Sequence, residues 1–254
     1  MAEIDETRVI YALTGADVLT FLQGIVSNDV LRLAQAPGLV WAALLSPQGK
    51  YLADFLIARV DGVEGFLLDI HKDLAPTTLR RLAMYKLRAD VKITPTEIRV
   101  TRGLETPPPG ALPDPRHPAL GWRAYGQVAT ADAPTIDWDT IRVEHVIPES
   151  LIELIPDDTY LLEAGFERLH GVDFRKGCYV GQEVTARMKH KTELKKGLVR
   201  VSITGDAVPG TEITADGKPA GTLFTRSGDH AIAYLRFDRA TGEMQAGEAV
   251  LRRD

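Results

Sequence analysis

Cysteine is almost missing from this chain. Cys178 is the only one among 254 residues, so no internal disulfide can form, and a reducing compartment is expected. No apolar run nears the roughly 18 residues that suggest a membrane span. Residues 39–45 are far shorter, and no membrane association is expected. The opening Met1-Ala2-Glu3-Ile4-Asp5-Glu6 is acidic and lacks the basic start and apolar stretch of a secretory signal, so the expected location is cytoplasmic. Positive charge is in short supply, with 30 Lys and Arg against 35 Asp and Glu. The net charge of −5 argues against a general polyanion-binding surface, and direct nucleic-acid binding is not expected. The six histidines show no close metal-ligand pairing. There is no H-E-x-x-H, P-loop or G-x-G-x-x-G, so zinc, nucleoside triphosphates and dinucleotides are not expected.

What remains is an ordinary globular composition, 44% hydrophobic and 26% charged, long enough for a sizeable core. Residues 8–13 and 41–45 read as strands, as do 51–60 and 66–70. Ser46-Pro47-Gln48-Gly49-Lys50 is a strong turn signal between the second and third of these. The apolar positions Leu19, Leu22 and Ile25 suggest a first helix, and Leu79, Leu82, Met84 and Leu87 a second over about 74–88. Residues 91–100 return to strand character. The segment 106–118 contains three consecutive prolines and reads as a surface connector. A strand over about 121–127 precedes a helix from Asp137 to His145, stopped by Pro148. After Lys196 closely spaced strands and Gly-containing turns predict a small antiparallel barrel or sandwich. The whole is an α+β chain, with an α+β region over 1–193 and a β domain over 194–254.

Special-purpose residues concentrate in Lys176-Gly177-Cys178-Tyr179-Val180-Gly181-Gln182-Glu183. The two glycines permit a tight turn, and residues 182–188 read as the start of a helix. A thiol near a helix N-terminus and beside Lys176 would meet positive potential, which favours thiolate. A lone cysteine is otherwise an inert small hydrophobe. Lys176 either stabilises the thiolate, contacts the anionic tail of a ligand, or solvates the turn. Tyr179 and Gln182 either pack and cap the turn or contact a ligand. Asp54 interrupts the apolar run Leu52–Ile57, where a carboxylate is exposed, paired or functional. Asn28 reads first as a helix-end or turn residue. The basic run Arg187, Lys189, His190, Lys191, Lys195 and Lys196 is either a solvated face or a local attractor of acidic groups.

The octapeptide around Cys178 resembles the signature of the YgfZ-type folate-binding proteins, relatives of the glycine-cleavage aminomethyltransferase. Leu13–Asp17, Phe21–Gly24, Asn28–Val30, the Ser46–Lys50 turn, Arg142-Val143-Glu144 and Ile147-Pro148 extend the resemblance over nearly the whole chain. It implies a ring of three parts. Two are related α+β subdomains, about 1–100 and 101–193, and the third is a C-terminal antiparallel barrel. It also implies a bound tetrahydrofolate or other reduced folate, and a role in assembly or repair of iron–sulfur proteins that indirectly affects tRNA-modifying enzymes. The implied partners are iron–sulfur client or assembly proteins, with Cys178 as the single reactive cysteine; Lys176 beside it is the second candidate catalytic residue. Trp138 takes the position of an aromatic expected to stack on the folate. Arg142, Glu144, Asp54, Asn28, Tyr179 and Gln182 become further folate contacts. The chain departs from the pattern at Arg8, where an aromatic can stand, and at Ala53-Asp54, where the aminomethyltransferases carry adjacent acids. That missing acid disfavours the alternative reading, a folate-dependent C1-transfer enzyme.

Overall fold

The computed structural model describes residues 2–126, 135–190 and 193–254. They form two compact units, described separately below.

The first unit comprises residues up to Ile136 together with Glu167–Val184. Its main sheet is antiparallel and contains β2 (Arg8–Thr14), β3 (Gly38–Leu45), β4 (Tyr51–Arg59), β5 (Phe66–His71) and β6 (Lys92–Pro95), ordered β3-β4-β5-β2-β6. β3 and β4 are buried along almost their whole length, which is why they read as continuous apolar runs rather than as an alternation. Ser46 fastens the turn between them: its amide donates to the Lys50 carbonyl at 2.8 Å and its Oγ accepts from the Lys50 amide at 3.2 Å. A second antiparallel sheet, ordered β1-β7-β9-β8, is built from β1 (Ala2–Ile4), β7 (Arg99–Gly103), β8 (Leu112–Pro113) and β9 (Trp122–Gly126).

Among the described residues, two α-helices lie wholly within this unit. α1 (Val18–Gln23) is shorter than the apolar spacing predicts, because Gly24 and the Ser27–Asp29 turn stop it. α2 (Ala75–Lys86) turns Ala75, Thr78 and Leu82 inward at helical spacing. The single strand expected over 91–100 is two strands in two sheets, broken after Pro95. The proline-rich segment corrects the sequence reading further. It is not merely a surface connector, since it carries β8 and buries Asp114 and Arg116 at 5% exposure each. Gln127, the last residue of the strand expected over 121–127, lies outside the described residues.

The second unit comprises Asp137–Phe166 and Thr185–Asp254. α3 (Trp138–His145) is capped by Asp137, whose carboxylate accepts from the Thr140 amide at 3.0 Å. A further helix, α4 (Gln182–His190), begins directly after the cysteine segment, with Gln182–Val184 counted in the first unit and the remainder in the second. The barrel strands are β10 (Lys196–Thr204), β11 (Glu212–Ala215), β12 (Lys218–Ser227), β13 (His230–Arg236), β14 (Met244–Ala246) and β15 (Ala249–Arg253). They close in the order β10-β13-β12-β11-β14-β15, every pair antiparallel. Val201, Ile213, Leu223, Leu235, Met244 and Leu251 fill the interior. Register shifts in β11 and β12 supply the bends that closure needs. The α+β class and the C-terminal antiparallel barrel are as expected from the sequence.

Candidate functional site

Cys178 is exposed on an irregular loop that precedes α4. It stands four residues before the helix, not at the helix N-terminus itself. The loop is nonetheless firmly held. Lys176 turns inward, and its Nζ donates to the carbonyls of Gln23 at 2.5 Å and Val26 at 2.7 Å. Gln23 Nε2 returns a bond to the Lys176 carbonyl at 3.2 Å. The Lys176 ammonium also lies 4.7 Å from the ring centre of the buried Tyr179. Burial lowers the Lys176 pKa to about 8, against the opposing pull of Asp29, Asp173 and Cys178. Gln182 closes the loop from the other side, its Nε2 donating to the Gly177 carbonyl at 3.0 Å. Lys176, Cys178, Tyr179 and Gln182 are therefore parts of one clamped loop that presents the thiol.

The cysteine loop and the Ser46–Lys50 turn interlock at glycine. A Cβ on Gly181, at φ +80°, would lie 2.5 Å from the Ser46 carbonyl oxygen, and one on Gly49 would lie 2.7 Å from Val184 Cβ. Backbone-to-backbone approach thus seats the cysteine loop on the Ser46–Lys50 turn. Gly177, at φ +96°, has nothing within 4 Å of a notional Cβ. Gly181→Ala is expected to destabilise the protein by about 2–4 kcal/mol, adding a clash to the strain of positive φ. Gly177→Ala should cost only about 1 kcal/mol. Urea denaturation of both variants tests the interlock, and equal losses would refute it.

Asn28 and Asp54 serve the same scaffold from within. Asn28 is buried, and its Nδ2 donates to the carbonyls of Trp41 and His170, each at 2.7 Å. Asp54 accepts from Trp41 Nε1 at 2.8 Å and from the Tyr51 hydroxyl at 2.7 Å, one bond on each carboxylate oxygen. The charge on an apolar strand is explained by these two aromatic donors. Gln23, Ser27, Trp41 and Tyr51 hold the site as well, although sequence reasoning does not single them out. Ser27 Oγ, for example, donates to the Gly171 carbonyl at 2.6 Å and accepts from the Ala43 amide at 2.9 Å. Gln23 had a signal, since it lies in one of the matching segments. The others had none that a single sequence displays.

Trp138, Arg142 and Glu144 belong to the second unit. Trp138 opens α3 and is half-buried. Arg142 is fully engaged: it bonds Glu153 through Nη2, Asp139 at 2.8 Å, the Ile147 carbonyl at 3.2 Å and Thr225 Oγ1 at 3.2 Å. Glu153 in turn accepts from the amides of Glu149 and Thr225. Arg142 is thus a buried clamp between α3 and β12. Glu144 is exposed and pairs with Arg200 at 2.8 Å. Of the basic run, Arg187, Lys189 and His190 occupy the last turn of α4, and Lys191 lies outside the described residues.

With this geometry in place, comparison with known proteins identifies the lineage. A family description for the CAF17 C-terminal β-barrel domain matches residues 195–253, which is the closed barrel. The mitochondrial iron–sulfur cluster assembly factor IBA57 homolog of Mycosarcoma maydis is 34% identical over 84% of this chain and 60% of its own length. The chain belongs to the IBA57/CAF17 (YgfZ-type) family. The Neurospora crassa IBA57 homolog is 30% identical over 83% of the chain and 55% of its own length. The mouse IBA57 is 28% identical over 93% of the chain and 78% of its own. The chain therefore spans little more than half the length of the two fungal IBA57 relatives. Its fold is that of the glycine cleavage system aminomethyltransferase T from Bartonella henselae. The TM-score is 0.72 at 13% identity, with 98% of this chain and 83% of the other covered.

Proposed function

We propose that the protein is a tetrahydrofolate-binding accessory factor in the assembly or repair of iron–sulfur proteins, acting through the thiol of Cys178, with an indirect effect on tRNA-modifying enzymes. The observation that carries this reading is the exposed single cysteine on a rigidly held loop, in a chain whose relatives are named iron–sulfur cluster assembly factors. One thiol cannot complete the usual four-cysteine cluster site. Among the described residues no group of three or more His, Cys, Asp or Glu converges to hold a metal. The cluster, or the iron or sulfur for it, is therefore cargo, with its other ligands supplied by a client or assembly partner.

For folate, the side chains fit stacking better than polar anchoring. Asn28, Asp54 and Arg142 have their polar atoms committed to buried internal bonds, and Glu144 pairs with Arg200. Tyr179 is buried and Gln182 donates to the Gly177 carbonyl, so the folate part of the proposal rests on Trp138, half-buried at the start of α3. The C1-transfer alternative gains no support, because Asp54, the carboxylate it would use, is held by Trp41 and Tyr51.

Calorimetric titration with tetrahydrofolate tests this reading. Binding should persist in Cys178→Ala and weaken more than about tenfold, about 1.4 kcal/mol or more, in Trp138→Ala. Unchanged affinity in Trp138→Ala would remove that residue from the site. The absence of binding by the unmodified protein would remove folate from the function altogether.

A further inference from the structure

Helix α2 leaves one face uncovered, and that face is built from two residue classes. Along one stripe, Arg80, Met84 and Leu87 follow at i, i+4 and i+7. Met84 is 71% exposed and Leu87 85% exposed. Shallow grooves flank the helix on both sides. One is lined by Leu79, Ala83, Lys86, Val91 and Ile93, the other by Thr77, Arg80, Arg81, Met84 and Tyr85. Two arginines stand beside the apolar positions: Arg80 hydrogen-bonds Thr77 Oγ1 at 3.4 Å, and Arg81 has no carboxylate partner among the described residues. In a chain of net charge −5, this is a local cationic patch around an apolar centre.

Leu87 adds a second, independent observation. It ends α2 at φ 45°, ψ −103°, a backbone conformation that a side chain opposes. Glycine adopts it readily, since its mirror image is an ordinary extended conformation. A leucine kept there gains almost no burial to offset the strain. Strain held without local compensation, in a large apolar side chain aimed at solvent, is the pattern of a contact made only with a partner.

We infer that the α2 face docks an acidic amphipathic segment of a partner protein, whose apolar side chains seat on Met84 and Leu87 and whose carboxylates pair with Arg80 and Arg81. A second copy of this chain fits poorly. A twofold contact would set each arginine cluster against its own image. The inference is independent of folate and of Cys178, so it can fail without affecting the proposed function.

The probe is a fluorescently labelled amphipathic helical peptide with one leucine face and one glutamate face, beside a counterpart with lysine in place of glutamate. Anisotropy should show binding of the acidic peptide that weakens as salt rises, with the lysine peptide at least about tenfold weaker. Met84→Glu, and the double variant Arg80→Glu with Arg81→Glu, should each weaken the acidic peptide by about tenfold or more. Leu87→Gly should raise the Tm while weakening the peptide, a combination that a purely structural residue would not give. Equal binding of the two peptides, or affinities unchanged in the variants, would overturn the inference. A dimer seen in sedimentation and abolished by Met84→Glu would also overturn it, by assigning the face to a second copy.

Discussion

Asp69→Ala is expected to destabilise the protein by about 3–5 kcal/mol, because it strands two buried guanidinium groups. Asp69 is wholly buried at the centre of β5. It accepts from Arg8 Nε at 2.6 Å, Arg123 Nη1 at 3.0 Å and the Tyr125 hydroxyl at 2.9 Å. Arg123 continues to Asp114 at 3.0 Å, and Asp114 is held by Arg116 at 2.8 Å. Arg116 in turn lies 5.9 Å from the ring centre of Trp41, whose indole donates to Asp54. Burial alone would raise the pKa of Asp114, but Arg116 and Arg123 hold it well below the usual carboxylate range. Arg8 and Arg123 are drawn the other way, well above their ordinary value, chiefly by Asp69 and against the effect of burial. Removal of the central carboxylate leaves Arg8 and Arg123, with side chains only 4% and 3% exposed, short of their shared anion. The expected loss is a large part of a typical stability of about 5–15 kcal/mol. The exposed pair Arg252–Glu243 is the matched control, and Glu243→Ala should change stability by no more than about 1 kcal/mol. Equal losses for Asp69→Ala and Glu243→Ala in urea denaturation would mean that the buried network contributes no net stability.

The same network marks the limit of what the sequence displays. β3, β4 and the turn between them are legible because an apolar run, a Pro-Gly turn and a second run are local signals. The barrel strands are legible through repeated turns, and α2 through its apolar residues, although the buried face is Ala75, Thr78 and Leu82 while Met84 and Leu87 of the expected apolar face are exposed. Asp114 and Arg116 were hidden inside a proline-rich stretch, whose composition speaks for an exposed connector. What buries them is pairing with Arg123, carried by a strand that the connector itself leads into. Long-range polar pairing has no period. The candidate site divides along the same line. The cysteine loop announced itself through its glycines, and Gly181 does make the close approach that only glycine allows. The sequence marks Arg142 through its segment, yet its partner is Glu153, eleven residues on and unmarked by any pattern. Asp54 stands out in the sequence as a charge on an apolar strand, and the indole of Trp41 and the phenol of Tyr51 explain it.

Cys178→Ala is expected to abolish complementation of a strain lacking the homologous protein while leaving the fold intact. The structural half of this expectation follows from how the loop is held. Lys176 bonds the end of α1, Gln182 bonds Gly177, and Gly181 rests on the Ser46–Lys50 turn. None of these contacts uses the thiol, and an exposed sulfur fills no core space. The variant should therefore unfold within about 0.5 kcal/mol of the parent, as surface substitutions do. The functional half follows from scarcity, since no second cysteine exists to take over the chemistry. A further arm separates presentation of the thiol from the thiol itself. Gly181→Ala keeps Cys178 but disturbs the seat of its loop, and should complement partially at a temperature where the variant remains folded. Full complementation by Cys178→Ala would exclude the thiol from the function. Loss of both complementation and folding would instead make Cys178 a structural residue, contrary to its exposure. Loss of complementation with unchanged stability and unchanged tetrahydrofolate affinity would place Cys178 in the exchange with the iron–sulfur partner, separate from folate binding.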